Sequence, residues 1–452
     1  MLKCRSHPIL LLVLLLFIGL LHAQSSQVLE LTLDRALELA LQKNKDIKVS
    51  YLEVKKSKEK LKEARGNLFP SIDASGQYTR NIKKPVIFLP PGTPFGPPGG
   101  GPAVLEIGYD NSYTGSVSAS FPLFSKTLYS SLSVAKRNHE LARESFRDSK
   151  IKTIANVKKS FYGVLLAKSV KDFMQMSLKN AEDNLKNVRR MHKQGLVSDY
   201  DLIRAEVQVE NIRPVAMQAE DNFQLAKDAL KIAIGLDGTQ EIKVRGELQY
   251  DPSFRLPGLN EALNQVLDKN STLRQLHFQS LLTKSMIGLE KSSFFPTLIA
   301  FGNYQYQTQA NDFKFSDYRW VKTTMVGLQL QFPIFHGLSR FAKVQQAQLS
   351  HRQVLEQQSA VTEAIKTQLK SILYRIEQAR KRIEAQQKSI SQAELGYRIA
   401  KSRYKNGLGT QLEVNDAEVA LTQARVNYAQ AIYDYLVAIA DYEALTGQEE
   451  SD

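Results

Sequence analysis

The sequence of 452 residues contains one cysteine, Cys4, which lies between Lys3 and Arg5 at the N-terminus. A chain with one cysteine forms no internal disulfide and no cysteine-ligated metal site. Beyond Cys4 the chain also lacks a cysteine placed after an apolar run for lipid attachment, so we expect no lipid anchor. Thiol and disulfide chemistry are therefore excluded as functions of the remaining chain.

Long apolar runs are absent beyond the first residues. Lys3 and Arg5 precede an apolar run that ends at Leu21, and a small-residue cleavage site ends at Ala23. This order predicts a secretory signal peptide over residues 1–23, with a retained membrane anchor as the alternative that the shortness of the run disfavours. No later run approaches the roughly 20 residues of a transmembrane helix. If the chain enters a membrane, we expect strands to carry it.

The balance of charge is basic, with 60 lysines and arginines against 46 acidic residues and a net charge of +14. Such a balance raises the question of nucleic acid binding. The lysines, however, are spread along helical segments and interleaved with glutamates, as in residues 55–60. We interpret them as solvated helix faces and expect no nucleic acid partner.

Signals for catalysis are missing as well. The histidines after the signal peptide are scattered without ligand spacing, and no glycine-rich loop precedes a Lys-Ser or Lys-Thr pair at a helix start. We therefore expect no catalytic site, no cofactor, no metal site and no enzyme activity.

What the sequence does contain is an internal duplication. Leu-Phe-Pro-Ser at 68–71 returns as Phe-Phe-Pro-Thr at 294–297, and Phe-Pro-Leu-Phe at 121–124 returns as Phe-Pro-Ile-Phe at 332–335. Two glycine turns recur too, Gly195 as Gly407 and Gly235 as Gly447. We divide the chain after residue 23 into a first repeat, 24–250, and a second repeat, 251–452.

Each repeat contains two segments in which apolar and polar residues alternate. Period-two alternation predicts strands with two different environments, and we expect β-hairpins at about 71–121 and 297–333. A soluble sandwich is the alternative, but each hairpin is isolated between helical segments. In the first segment Ile72, Ala74, Gly76 and Tyr78 share one face, and in the returning segment one face carries Tyr109, Tyr113, Gly115, Val117, Ala119 and Phe121.

The first hairpin has a longer loop than the second. Residues 90–102 are almost all proline and glycine, which cannot form a strand ladder. We expect an exposed loop on one side of the membrane, with a polyproline ligand for a partner as the alternative.

Very long helices are predicted after each hairpin. Residues 125–193 and 338–405 contain no proline, and a helix of that length measures about 100 Å. Apolar residues from Val361 to Ile390 recur at spacings of three and four, which predicts a coiled-coil-like seam. Return helices are expected from about Asp199 and Gln411, and Pro214 is expected to kink or interrupt the first of them.

Four strands cannot close a membrane barrel, because open edges in lipid leave backbone groups unpaired. Two chains would supply eight strands and a filled interior, whereas three would supply twelve and a channel. The chain therefore predicts an assembly of several copies.

With this ordered set of junctions, turns and repeats, the chain resembles the TolC-like outer-membrane efflux proteins, the outer membrane factor family. The resemblance implies an α+β membrane protein, internally duplicated, with long antiparallel periplasmic helices and four transmembrane β-strands per chain. It implies a homotrimer in the outer-membrane lipid, with a 12-stranded β-barrel and an α-helical barrel in the periplasm. It also implies two partners, a periplasmic adaptor and an inner-membrane pump.

The resemblance points to two groups of site residues. The helix turns look like adaptor-docking tips, although a glycine that merely ends a helix is the alternative. The acids that begin the return helices look like the channel entrance, although acids at helix N-termini also favour the helix dipole. The family arginine that latches the entrance would fall at Gly409. The tips are Gln194, Gly195, Leu196, Asn406, Gly407 and Leu408, and the entrance residues are Asp201, Tyr404, Glu413 and Asp416.

We therefore predict an outer-membrane exit duct of a tripartite efflux or type I secretion system, which conducts substrates passively. Two rival functions remain open at this stage. One is a trimeric coiled-coil protein with a structural or adhesive role, and the other is a stand-alone porin.

Overall fold

The computed structural model describes residues 28–91, 94 and 103–448. The predicted signal peptide and most of the Pro/Gly-rich loop lie outside them. The helices are α1 Leu33–Lys43, α2 Lys45–Gly66, α3 Lys126–Lys193, α4 Asp199–Ile234, α5 Leu259–Lys269, α6 Ser271–Ser292, α7 Ser339–Lys405 and α8 Gln411–Leu445. The strands are β1 Leu29–Leu31, β2 Ser71–Arg80, β3 Val86–Leu89, β4 Ala103–Glu106, β5 Asn111–Ser125, β6 Ile242–Val244, β7 Thr297–Ala310 and β8 Val321–Gln331.

The two long helices form where prolines are absent. Helix α3 contains 68 residues and helix α7 contains 67, with bounds within one residue of those predicted. A return helix follows each of them, α4 with 36 residues and α8 with 35. Among the helices in the described part of the chain, none is both long enough and apolar enough to cross a membrane.

The chain divides into two compact units that cut across the sequence repeats. Over the described residues, the first unit consists of a segment ending at Leu52, of Glu144–Arg274 and of a segment beginning at Ala360. The second unit consists of Glu53–Arg143 and Gln275–Ser359. Each unit therefore takes segments from both repeats.

The first unit contains two apolar clusters, one from each repeat. In the second repeat, the seam predicted on α7 is buried against α8 and α5, with Leu369, Ile372 and Ile376 at 0% exposure. The first repeat builds its cluster from α1, α3 and α4 together with the short parallel pair β1 and β6. The duplication thus extends from the sequence to the packing.

The second unit contains an antiparallel four-stranded sheet in the order β2-β5-β7-β8. Its register aligns the alternating residues of all four strands. Ile72, Ala119, Gly302 and Val326 form one row across the sheet, and Asp73, Ser118, Asn303 and Met325 form the next row on the opposite face. One face of the sheet is therefore apolar and the other polar, as the period-two pattern predicts.

The apolar face is exposed in the single chain. Val326 is 84% exposed, Ile72 is 74% exposed and Leu328 is 67% exposed. Strands β2 and β8 each pair on one side, so the sheet has two open edges within the described residues. Apolar surface and open edges together mean that a single chain leaves this sheet incomplete.

Several boundaries differ from the sequence predictions. Helix α2 ends at Gly66, and a turn follows it before Pro70. Strand β5 continues past Phe121 to Ser125 through a bulge between Pro122 and Phe124. Pro214 was predicted to kink or interrupt its helix: the interruption is wrong, since α4 continues through Pro214, and the kink stays a prediction. The pairs β1–β6 and β3–β4 were not predicted.

Candidate functional site at the helix turns

The first candidate tip joins α3 to α4. Gly195 has a φ of 73°, and the Leu196 amide donates to the Met191 carbonyl at 3.0 Å. This left-handed closure satisfies carbonyls that a helix end leaves unpaired. Gln194, Gly195 and Leu196 are all exposed, with the Leu196 side chain reaching solvent. The tip therefore presents a hydrogen-bonded turn with an apolar side chain on its surface.

The second candidate tip joins α7 to α8 in the same way. Gly407 has a φ of 70°, and the Leu408 amide donates to the Arg403 carbonyl at 2.9 Å. Asn406, Gly407 and Leu408 are exposed, and Leu408 is 72% exposed. The two repeats thus end in turns of the same geometry with a leucine at the same position.

Asp201 lies in the first turn of α4 and caps that helix. Its amide donates to Ser198 Oγ at 3.2 Å, and its Oδ2 accepts from the Ser198 amide at 3.2 Å and from Ser198 Oγ at 2.7 Å. This reciprocal capping box gives Asp201 a structural role. The assignment of Asp201 to the channel entrance stays a prediction beside this capping role.

Glu413 occupies the equivalent position in α8 but leaves its carboxylate free of the cap. Its amide donates to Thr410 Oγ1 at 3.3 Å, while its Oε2 lies 3.9 Å from Arg403 Nε. Asp416, one turn later, is exposed and has no ion pair among the described residues. These two carboxylates are thus available to a neighbouring surface or to solvent.

Tyr404 is half-buried at the end of α7. Its hydroxyl is enclosed and has no hydrogen-bond partner within the described residues. Burial, and then the nearby negative charge of Asp201, raise the pKa of the Tyr404 hydroxyl above its ordinary value. The charge of Asp201 thus acts on the Tyr404 hydroxyl, whereas Glu413 forms an ion pair with Arg403.

Arg403 lies next to Gly409, the position at which the arginine of the family would fall. Its Nη2 donates to the Leu408 carbonyl at 3.1 Å. A Cβ atom on Gly409 would lie 3.0 Å from Glu413 Oε2 and 3.1 Å from Arg403 Cβ. A side chain at position 409 would require Arg403 or Glu413 to shift. Glycine at this position is therefore compatible with the Arg403–Glu413 ion pair.

A cavity further along the same helices was not predicted. It has a volume of about 350 Å³, is lined by α3, α7 and α8, and contains Glu418, Tyr397 and Arg425. Burial raises the pKa of the Glu418 carboxyl, although a hydrogen bond from Asn180 and the charge of Lys401 oppose that shift. Arg425 pairs with Glu394 at 2.8 Å. The sequence does contain a feature that could have predicted this cavity. Polar residues recur every seven positions on α8, at positions that are typically apolar in a coiled-coil seam: Gln411, Glu418 and Arg425.

A cationic groove lies between α3 and α4, next to the first tip. It has a volume of about 520 Å³, and Lys186, Arg190 and Lys193 are among its lining residues. Arg189 in the same groove pairs with Glu206 at 2.9 Å, whereas Lys186 and Lys193 have no acidic partner in the described part of the chain. The groove is therefore a site of unbalanced positive charge.

A known protein family matches most of the chain. The model of the family described as outer membrane efflux protein matches two segments, residues 36–236 and 262–448. These segments correspond to the two repeats read from the sequence.

Individual relatives have low sequence identity to this chain, but the alignments cover most of its length. The chain is similar to the cation efflux system protein CusC of Escherichia coli K12, with 22% identity over 84% of this chain and 79% of that protein. It is similar to the probable outer membrane lipoprotein SilC of Salmonella typhimurium, with 22% identity over 86% of this chain and 79% of that protein.

Solved structures share the fold. The CmeC outer membrane channel of Campylobacter jejuni superposes with a TM-score of 0.75 at 17% identity, covering 93% of this chain and 87% of that one. The MtrE outer membrane channel of Neisseria gonorrhoeae, in its open state, has a TM-score of 0.70 at 20% identity, covering 92% and 88%.

Proposed function

This chain belongs to the outer membrane efflux protein family, and we propose that three copies of it form the exit duct of a tripartite efflux or type I secretion system. The observation that carries the proposal is the four-stranded sheet with two open edges and one exposed apolar face. Such a sheet is stable in lipid only when neighbouring subunits complete it. Three copies give twelve strands, enough for a water-filled channel.

The proposed duct is passive. The chain conducts substrates delivered by an inner-membrane pump, so it needs no catalytic group or cofactor of its own. Its location is the outer membrane, in contact with lipid, and we propose that the long helices extend into the periplasm.

We propose that the two tips dock a periplasmic adaptor. Two features support this. The turns at Gly195 and Gly407 share a left-handed glycine, and each turn exposes the leucine that follows it. The cationic groove with Lys186 and Lys193 lies beside the first of them and offers charge to an acidic partner surface. Gln194 and Asn406 precede the glycines and complete the docking turns.

We propose that the entrance is formed by Glu413, Asp416, Tyr404 and Asp201. Glu413 and Asp416 are exposed carboxylates at the start of α8, so three copies would place six of them around one opening. The negative charge of Asp201, together with burial, raises the pKa of the Tyr404 hydroxyl. Arg403, which contacts both the Leu408 carbonyl and Glu413, holds the second tip in the absence of an arginine at position 409.

The proposal is tested by purifying the protein in detergent, measuring its mass and recording single channels in planar bilayers. We expect a trimer with discrete conductance steps, and we expect deletion of the gene to increase sensitivity to exported compounds. A trimer without conductance would favour a structural or adhesive role. Conductance without any dependence of export on an adaptor and pump would favour a stand-alone porin.

The entrance is tested separately. Replacing the acids in the double variant Glu413→Ala, Asp416→Ala should lower the cation selectivity of single channels, because rings of carboxylates attract cations. Glu384→Ala, an exposed glutamate elsewhere on α7, is the control. Unchanged selectivity in the double variant would contradict the assignment of these two residues.

A further inference from the structure

The four-stranded sheet carries very little charge. Among its paired residues, Asp73, Arg80 and Lys322 are the charged ones. Arg80 and Lys322 lie on the apolar face near the loop end of the sheet, where β2 ends and β8 begins. Asp73 is therefore the charged side chain of the opposite, polar face.

The surroundings of Asp73 are uncharged hydroxyl and amide groups. Ser118 lies directly across from it, and Asn303 follows in the same row. The neighbouring serines bond one another instead, Ser71 with Ser120 at 2.9 Å and Ser75 with Ser116 at 2.8 Å. Asp73 is exposed, and no described cation pairs with it. Its negative charge is thus uncompensated on this face.

We propose that Asp73 is a selectivity-determining residue of the channel, and that the duct favours cationic over anionic solutes within its membrane segment. The inference rests on the proposed function, in which the polar face of the sheet lines the lumen and three copies contribute one carboxylate each. It concerns a position on the sheet, distinct from the entrance carboxylates at the start of α8.

The radius of a twelve-stranded barrel decides whether the charge of Asp73 reaches across the lumen. Strands spaced about 4.8 Å apart and tilted by about 40° close at a backbone radius of about 12 Å. Side chains project inward from that radius, and the Debye length is about 10 Å at 0.1 M salt but about 3 Å at 1 M. Three carboxylates therefore act across the lumen at low salt and lose that reach at high salt.

The test measures the reversal potential of channels formed by the full-length protein in planar bilayers, under a KCl gradient at about 0.1 M. Asp73→Asn should lower the permeability ratio of K⁺ to Cl⁻ by about twofold or more, and Asp73→Lys should lower it further. Asp317→Asn, which removes the same charge from the loop between β7 and β8, should leave the ratio unchanged. In about 1 M KCl the difference between wild type and Asp73→Asn should vanish.

The failures are distinguishable. If the wild-type protein assembles but never conducts, the proposed function is wrong and this inference falls with it. If it conducts and Asp73→Asn keeps the wild-type ratio at low salt, only the role of Asp73 is refuted. An equal response to Asp73→Asn and Asp317→Asn would also refute it, since total charge would then explain the effect. Heat-stable trimers on gels verify that each variant is assembled.

Discussion

Asn44 and Asn270 occupy equivalent positions in the two repeats, and each amide joins two chain segments. Asn44 Nδ2 donates to the Ala233 carbonyl and Asn270 Nδ2 donates to the Leu445 carbonyl, both at 2.8 Å. Each Oδ1 accepts a backbone amide of the helix that follows. Both residues are buried, so losing the side chain leaves the carbonyl of a return helix without its partner.

Asn44→Ala and Asn270→Ala should therefore each destabilise the protein by about 2 kcal/mol. The measurement is the thermal midpoint of the purified protein in detergent. Asn222→Ala is the matched control, because Asn222 is exposed and bonds another exposed side chain on the same helix. Equal midpoints for all three variants would refute the bridging role.

Glu418 makes stability depend on pH. Because burial raises the pKa of its carboxyl above the ordinary 4.5, the folded protein holds this proton more tightly than the unfolded chain. Its contribution to stability is fully present below pH 4.5 and is lost as the pH rises through the raised pKa. Glu418→Gln should thus raise the thermal midpoint at neutral pH, and the gain should shrink towards zero as the pH is lowered. Glu384→Gln, at an exposed position, should give no such pH-dependent gain.

At the scale of elements, four glycines end the long and return helices, all with positive φ, but their surroundings differ. A Cβ on Gly235 would lie 2.7 Å from the Lys43 carbonyl oxygen, and one on Gly447 would clash with the Lys269 carbonyl oxygen. Nothing lies within 4 Å of a Cβ on Gly195 or Gly407. The return helices thus end in close backbone contact, whereas the tips are open.

Gly195→Ala and Gly407→Ala should each lower the free energy of unfolding by about 1 kcal/mol, because alanine is strained in the left-handed backbone conformation. Gly235→Ala and Gly447→Ala should cost more than twice that, because the backbone of another segment must shift as well. Thermal midpoints of the four single variants provide the comparison. Four equal losses would mean that the close contacts carry no energetic weight.

Some helices and strands can be predicted from the sequence, and others cannot. Alternation locates β2, β5, β7 and β8 because each has two environments, and proline-free stretches locate the long helices. The pair β1–β6 escapes such reasoning, since three residues near Glu30 meet three near Lys243 and neither segment has a pattern of its own.

Side-chain partners are even harder to predict. Ser57 Oγ and His139 Nδ1 lie 2.9 Å apart, and Thr283 Oγ1 and His351 Nδ1 repeat that contact at 2.9 Å. The histidines look scattered in the sequence, because their equivalence emerges only when both helices of each repeat are packed. At the tips, the glycines were predictable from turn chemistry, whereas the contact of Arg403 with Glu413 depends on how the turn folds back.

At the scale of the whole molecule, the apolar face of the sheet decides where the protein resides. Leu328 lies on that face, and the adjacent Gln329 lies on the polar one. Leu328→Arg should oppose insertion by about 2 to 4 kcal/mol if its position lies near the bilayer midplane. Gln329→Arg adds the same charge one residue away, and on the proposed lumen side it should be tolerated. The measurement is the amount of heat-stable trimer in the outer-membrane fraction. We expect a strong decrease for Leu328→Arg alone, and equal amounts for the two variants would show that this face of the sheet does not contact lipid.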